Sequence, residues 1–251
     1  MAIRLGDAGF AEEIYHDVRQ QAVGIPERLH EARTSIRLTR DPRPAKGRTP
    51  LLITTVHLEF SVLPRYLTRR FVCLSDREEF RELDQEEAAT SAWFIKPQLG
   101  IDAADKDVFE LVEFTVDGEP RTIRRSVRRG SQTYSVSMGK DTVAAGQPVD
   151  VAYTYRTITP VDGHLLQLRV DQPTKGLTIE LDYGDSGLTS MTVLDFIASS
   201  RRTRISQTAP GLPGKAVTVE FEGWVFPRSG VAFVWVLEEE LRNQGQPGSS
   251  A

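Results

Sequence analysis

PVDVAYTYRTITPVDGHLLQLRVDQPTKGLTIELDY, residues 148–183, decides the fold class. Val149, Val151, Tyr153 and Tyr155 alternate with Asp150, Ala152, Thr154 and Arg156. After the Pro160-Val161-Asp162-Gly163 turn, Leu166, Leu168 and Val170 repeat the pattern, and after Pro173-Thr174-Lys175-Gly176 it returns in Leu177, Ile179, Leu181 and Tyr183. Successive side chains on a strand point to opposite faces, so this reads as three strands of an antiparallel meander, one face apolar and one wet.

The same period extends outward. Downstream, Met191 to Ile197, Val217-Val219-Phe221 and Val231 to Val236 read as strands. Trp224 and Trp235 flank a Pro227-Arg228-Ser229-Gly230 turn, and the returning strand is apolar at both parities. That pattern predicts a strand buried on both sides, with a partner-binding surface as the alternative. Upstream, Val108, Val112, Phe114 and Val116 share a face, Asp117-Gly118 makes a hairpin turn, Ile123 and Val127 mark a second strand, and Tyr134 and Val136 a third. Leu52, Val56, Leu58, Phe60 and Val62 alternate along an earlier strand, followed by Phe71-Val72-Cys73-Leu74. Asp76 to Thr90 reads as a polar surface helix with Ser75 as N-cap and Glu78 as its capping-box partner.

The N-terminus reads differently. Phe10, Ile14 and Val18 recur at helical spacing, and Pro26 opens a second helix with Leu29, Ala32 and Ile36 inward, although 34–39 fits a strand equally. Three prolines and a glycine make 41–50 a linker. The expectation is a mainly β chain: an immunoglobulin-like antiparallel β-sandwich over 51–240, with 51–100 and 104–240 as sub-parts. A helical segment and linker (1–50) precede it, one surface helix interrupts it, and a disordered tail (241–251) follows.

Composition narrows the function. A net charge of −4 gives no general attraction to nucleic acid or acidic membrane. No apolar run approaches the roughly 20 residues that span a bilayer, and Met1 to Asp7 lacks the apolar core of a secretory signal. One cysteine, Cys73, permits no internal disulfide, so a reducing cytoplasm is expected. The 25 arginines against 6 lysines point to a GC-rich bacterial genome. There is no glycine-rich phosphate loop and no pair of histidines at metal-ligand spacing, so no cofactor or metal is implied. Cys73, between Val72 and Leu74, reads as a buried small hydrophobe.

Two side-chain groups carry candidate chemistry. The basic segment Arg121, Arg124, Arg125, Arg128 and Arg129 has no acidic residue between Glu119 and Asp141. On a strand, Arg121, Arg125 and Arg129 share one face, while Arg124 and Arg128 project from the other. Guanidinium groups bind phosphates bidentately, so this cluster is a candidate site for a small anionic or nucleotide ligand, with Tyr134 available to stack on a base. Arg201, Arg202 and Arg204 are candidate additions. Duplex nucleic acid is disfavoured by the net charge. The competing reading is a solvated edge hairpin whose charges block aggregation and pair with the acidic loop at Asp102, Asp105 and Asp107.

The second group is Gly184-Asp185-Ser186-Gly187, which resembles the nucleophile motif of trypsin-like serine proteases. With His57 and Asp102 upstream, that resemblance implies Ser186 activated by His57, with Asp102 orienting the imidazole. Leu188 and Thr189 depart from the family motif, and His57 sits mid-strand on a polar face, so this ranks last. Pro173 to Ile179, followed by Trp224 to Trp235, resembles the uncharacterised β-sandwich domains that follow helix-turn-helix modules in some bacterial regulators. The resemblance implies an intracellular sensing or protein-interaction module. The leading expectation is therefore a non-enzymatic bacterial cytoplasmic binding or signalling module. A subunit that meets a protein partner, or a second copy of itself, through Phe10, Ile14 and Val18 is the alternative.

Overall fold

The computed structural model describes residues 24–43, 49–83, 89–195, 203–209 and 214–237, with a few isolated positions outside these stretches. The helical reading of Phe10, Ile14 and Val18, the tail beyond 240, and Arg201 and Arg202 lie outside the described residues. The fold is mainly β and sandwich-like, as expected. In chain order the strands are β1 Leu29–Arg40, β2 Leu51–Val62, β3 Thr68–Leu74, β4 Thr90–Phe94, β5 Phe109–Val116, β6 Glu119–Pro120, β7 Ile123–Arg128, β8 Ser131–Ser137, β9 Val149–Pro160, β10 Leu165–Arg169, β11 Thr174–Asp182, β12 Ser190–Asp195, β13 Arg204–Gln207, β14 Ala216–Val225 and β15 Gly230–Val236. Two short helices are described, α1 Arg77–Leu83 and α2 Lys140–Ala145.

Three sheets result. Eight strands run in the order β13-β14-β11-β1-β2-β9-β5-β6, three in the order β10-β15-β12, and four in the order β4-β3-β8-β7. The alternating segments of residues 148–183 are all strands, but they are not a meander. β9 lies between β2 and β5, β11 between β1 and β14, and β10 joins the three-stranded sheet. Alternation specifies a strand with one buried face; it does not choose the neighbour. Nor is the pairing wholly antiparallel, because β1 with β11 and β3 with β4 are parallel.

The helical reading of residues 29–36 gives way to β1, in the interior of the largest sheet. Ala32, Thr34, Ile36 and Leu38 are buried, and Arg33, Ser35 and Arg37 are exposed between them. The boundary at residue 50 therefore does not separate this strand from the sheet. In β5 the pairing register shifts between Leu111 and Glu113, a bulge that turns Val112 to solvent at 45% exposure instead of beside Phe114. Asp117 and Gly118 both have positive φ (51° and 77°), which a two-residue turn of the primed type requires between β5 and β6. α1 is shorter than expected and is capped by Asp76, whose carboxylate accepts the Glu78 and Glu79 N–H groups at 2.9 Å; Ser75 does not cap it.

Aromatic side chains join the four-stranded sheet to the eight-stranded one. Trp93 and Phe71 stand on the smaller sheet, and Phe109, Phe114, Tyr153 and Tyr155 on the larger. Ring centroids lie 4.4 Å apart for Trp93–Phe109, 4.9 Å for Trp93–Tyr155 and 5.1 Å for Phe71–Tyr153. β15 supplies Val231, Ala232, Phe233 and Trp235, all buried, and the indole N–H of Trp235 donates to the Val161 carbonyl at 2.7 Å. It is thus buried at both parities, as its sequence indicated.

Glu27 is a feature the sequence did not reveal. It is fully buried, accepts the Arg65 N–H at 2.7 Å and the Tyr66 N–H at 3.3 Å, pairs with the buried Arg69 guanidinium and accepts from Gln172 at 3.3 Å. Removing one partner strands a buried charge, so Glu27→Ala should lower the unfolding free energy by about 3–5 kcal/mol in a denaturant titration, with Glu27→Gln losing less. Cys73 is buried, and burial pushes its thiol from 9.0 up to about 12. A raised folded-state value means that the stability is fully present below pH 9 and is lost as pH rises from there towards about 12. The expected observations are alkaline loss of stability over that window, and no reaction of Cys73 with a disulfide reagent until the chain unfolds.

Candidate functional site

The outer face of the four-stranded sheet is divided in two. Val72, Leu74 and Ala92 pack under Leu83 and Phe80 of α1. The other half is uncovered and polar, because β7, β8 and β3 place Arg124, Ser135, Ser137 and Thr68 there. Register fixes this arrangement: Arg124 lies opposite Ser135, and Ser137 opposite Thr68. Beside them the turn from β6 into β7 contributes Arg121 and Thr122, and Gly139 closes the end, around a hollow of 580 Å³.

The structure separates the five arginines by what they touch. Arg125 faces inward as parity requires; it donates to the Gln132 side chain at 2.9 Å and the Ala104 carbonyl at 2.7 Å, and lies 5.9 Å from the Tyr134 ring centroid. Arg128 donates to Ser131 Oγ at 2.7 Å and pairs with Glu79 on α1. Arg129 is exposed in the β7–β8 turn. Arg121 and Arg124 make no side-chain hydrogen bond or ion pair among the described residues, and the Nε of Arg121 is covered without an acceptor. Both line the hollow, with Thr68, Thr122, Ser135 and Ser137 supplying hydroxyls and no carboxylate in the lining.

Gly139 is demanded at the end of the hollow by its backbone conformation and by its closeness to Thr142. Its φ is +93°, and a Cβ there would meet Thr142 Oγ1 at 3.1 Å and Arg121 Nη1 at 4.0 Å. Tyr134 cannot stack on a ligand base. It is 3% exposed, its hydroxyl donates to the Phe109 carbonyl at 3.2 Å, and burial raises its phenol above the usual range. Arg204 belongs elsewhere, bonded to Glu220 and Glu222 at 3.3 and 3.4 Å across β13 and β14.

The acidic loop meets the arginines through its backbone more than its carboxylates. Gln132 donates to the Ala103 and Asp105 carbonyls at 2.8 and 2.7 Å, beside the Arg125 contact with Ala104. Asp102 accepts the Ala104 N–H at 2.9 Å, and Asp107 pairs with Arg43 at 2.8 Å. The ion pairing expected between loop and cluster is thus replaced by hydrogen bonds to the chain.

Ser186, His57 and Asp102 do not come together as a triad. Ser186 is 3% exposed; its hydroxyl donates to the Tyr183 carbonyl at 2.5 Å and accepts the Leu188 N–H at 3.1 Å, closing a turn. His57 hydrogen-bonds with Thr154 at 2.8 Å and Glu59 at 3.1 Å on the outer face of the eight-stranded sheet. Among the described residues, no group of three or more His, Cys, Asp or Glu side chains is arranged to hold a metal ion. No described helix is long and apolar enough to cross a membrane.

No protein-family model and no curated protein matches the chain. Solved structures with partial likeness include an M1 zinc metallopeptidase from Deinococcus radiodurans, 11% identical with a TM-score of 0.43, covering 85% of this chain and 46% of that one. A provisionally assigned protease from Parabacteroides distasonis is 9% identical with a TM-score of 0.47, covering 84% and 40%. A provisionally assigned nutrient-binding protein from Legionella pneumophila is 10% identical with a TM-score of 0.32, covering 83% and 67%. The chain spans less than half the length of the first two, and at these TM-scores the likenesses carry no argument about activity.

A fluorophosphonate should leave Ser186 unlabelled by mass spectrometry. Ser186→Ala should act on stability instead, costing about 1 kcal/mol through the lost turn hydrogen bonds.

Proposed function

We propose that this chain is a non-enzymatic binding module for a small anionic ligand, held at the hollow between β3, β7 and β8. The observation that carries the reading is that Arg121 and Arg124 line one polar hollow without any acidic partner among the described residues. Guanidinium forks match phosphate and carboxylate oxygens bidentately, and hydroxyls complete such a site because each can donate to an oxyanion. The volume of 580 Å³ lies within the range of small-molecule sites, and suits a phosphorylated metabolite or a nucleotide. Arg125 and Arg128 are structural in this reading: the first ties β7 to the acidic loop, the second to α1.

A cytoplasmic bacterial sensing role is in keeping with the single buried thiol, the arginine-rich composition and the resemblance to sandwich domains of regulators. A thermal-shift screen with inorganic phosphate, pyrophosphate, linear and cyclic nucleotides and sugar phosphates, at low and moderate salt, tests the proposal. A ligand present at about 100 times its dissociation constant adds about 2.7 kcal/mol, a shift of several degrees. The expected shift survives moderate salt, disappears in Arg121→Ala/Arg124→Ala and persists in Arg129→Ala. No shift with any compound, or one retained by the double variant, would remove this reading.

A further inference from the structure

Strand register sets a row of hydroxyl groups along the hollow on the outer face of the four-stranded sheet. Thr68 on β3 stands opposite Ser137 on β8, and Ser135, two residues earlier on β8, stands opposite Arg124 on β7. Thr122, in the turn before β7, adds a fourth hydroxyl. Among the described residues Thr68, Thr122 and Ser135 make no side-chain hydrogen bond. Ser137 accepts the Gly139 N–H at 3.2 Å and keeps its own proton to donate.

What the lining lacks is equally specific. Beside two guanidinium groups and four hydroxyls, its described residues are only Pro120, Val136 and Gly139. There is no aromatic face for a base to stack on, since Tyr134 is buried on the other side of β8. There is no carboxylate to cancel the two positive charges. Glu119 precedes Pro120, Lys140 and Asp141 follow Gly139, and Arg70 stands opposite Ser135, but none of them lines the hollow. Nor is this an ordinary wetted edge, where water reaches every donor: the Nε of Arg121 is covered and has no acceptor.

We propose that the ligand of this hollow is a sugar phosphate, with its phosphoryl group on Arg121 and Arg124 and its hydroxyl groups on Thr68, Ser135 and Ser137. The inference rests on the anionic-ligand reading above and narrows it. An ionised phosphoryl group offers acceptors, which suits the guanidinium forks. A sugar hydroxyl both donates and accepts, as does each serine or threonine hydroxyl, so the two sets pair in either direction. Cross-strand neighbours stand about 4.5–5.5 Å apart, close to the separation of hydroxyl groups on alternate carbons of a sugar ring. Water would solvate the hydroxyls, but it brings no charge to offset the two arginines. A bare inorganic anion would offset them and leave the hydroxyl row unused. A nucleotide would bring a base for which this face has no ring.

Calorimetric titration of the full chain with ribose 5-phosphate, glucose 6-phosphate, ethyl phosphate and AMP tests the proposal. Ethyl phosphate presents the anion without hydroxyl groups, and AMP adds a base to ribose 5-phosphate. At least one sugar phosphate is expected to bind about tenfold tighter than ethyl phosphate, the worth of one hydrogen bond, and AMP no tighter than ribose 5-phosphate. Thr68→Val/Ser135→Ala should bring the sugar phosphate to the level of ethyl phosphate and leave ethyl phosphate unchanged. Thr68→Val alone, which keeps the β-branched shape at an exposed position, should act in the same direction. Arg121→Ala/Arg124→Ala should abolish binding of all four. Sugar phosphates no tighter than ethyl phosphate, AMP tighter than ribose 5-phosphate, or a sugar preference that survives the hydroxyl variants would overturn this assignment and leave the anion site standing. Binding of none of the four, or binding undiminished in the arginine variant, would remove both.

Discussion

A single buried carboxylate holds together parts of the chain that no sheet joins. Glu27 receives the two N–H groups that lead into β3, the guanidinium of Arg69 on β3 itself, and the amide of Gln172 just before β11. β3 belongs to the four-stranded sheet and β11 to the eight-stranded one. Hydrophobic packing is non-directional and would tolerate some sliding between the layers. A buried charge does not tolerate it, since any shift that opens its hydrogen bonds leaves it unsolvated. Glu27 thereby fixes the position of the smaller sheet on the larger, and the aromatic seam fills the remaining space.

That fixed position divides the arginines. The inner parity of β7 meets the loop after residue 100, so Arg125 is engaged by the Ala104 carbonyl, the Gln132 side chain and the Tyr134 face. The outer parity meets α1 at one end, where Arg128 finds Glu79, and open space at the other, where Arg124 finds only hydroxyls. Five similar residues within nine positions therefore perform different tasks. The difference lies in what neighbouring elements bring, and very little in the arginines themselves.

The sequence was most legible where one face of a strand is buried and the other wet. β2, β9, β10 and β11 could be read from alternation, and so could the two faces of β7. β1 was obscured because Thr34 stands in its inward row, leaving Leu29, Ala32 and Ile36 at a spacing that also fits a helix. Val112 was misassigned because a bulge adds a residue without leaving a mark in the composition. Strand neighbours were beyond reach, since the same pattern serves any partner with a buried face. Tyr134 looked available because alternation reports a side chain's parity and not which parity another sheet will cover. Nothing flagged Glu27, an acidic residue after a proline in a stretch that resembled a helix start.

The placement of β1 bears on how the chain is made. Its residues are synthesised well before those of β11, yet one of its two ladders is with that strand, where Leu29 meets Thr174. At ordinary elongation rates the partner emerges on the order of ten seconds later. During that interval β1 and β2 can form a hairpin whose β1 edge has no partner, a row of free N–H and C=O groups that could recruit another nascent strand. Arg33 and Arg37 lie along it, and on neighbouring ribosomes making the same message their like charges would repel. The charged face of this strand, where Arg37 pairs with Asp182 and Asp185 in the finished sheet, can also be understood as protection for the unfinished one.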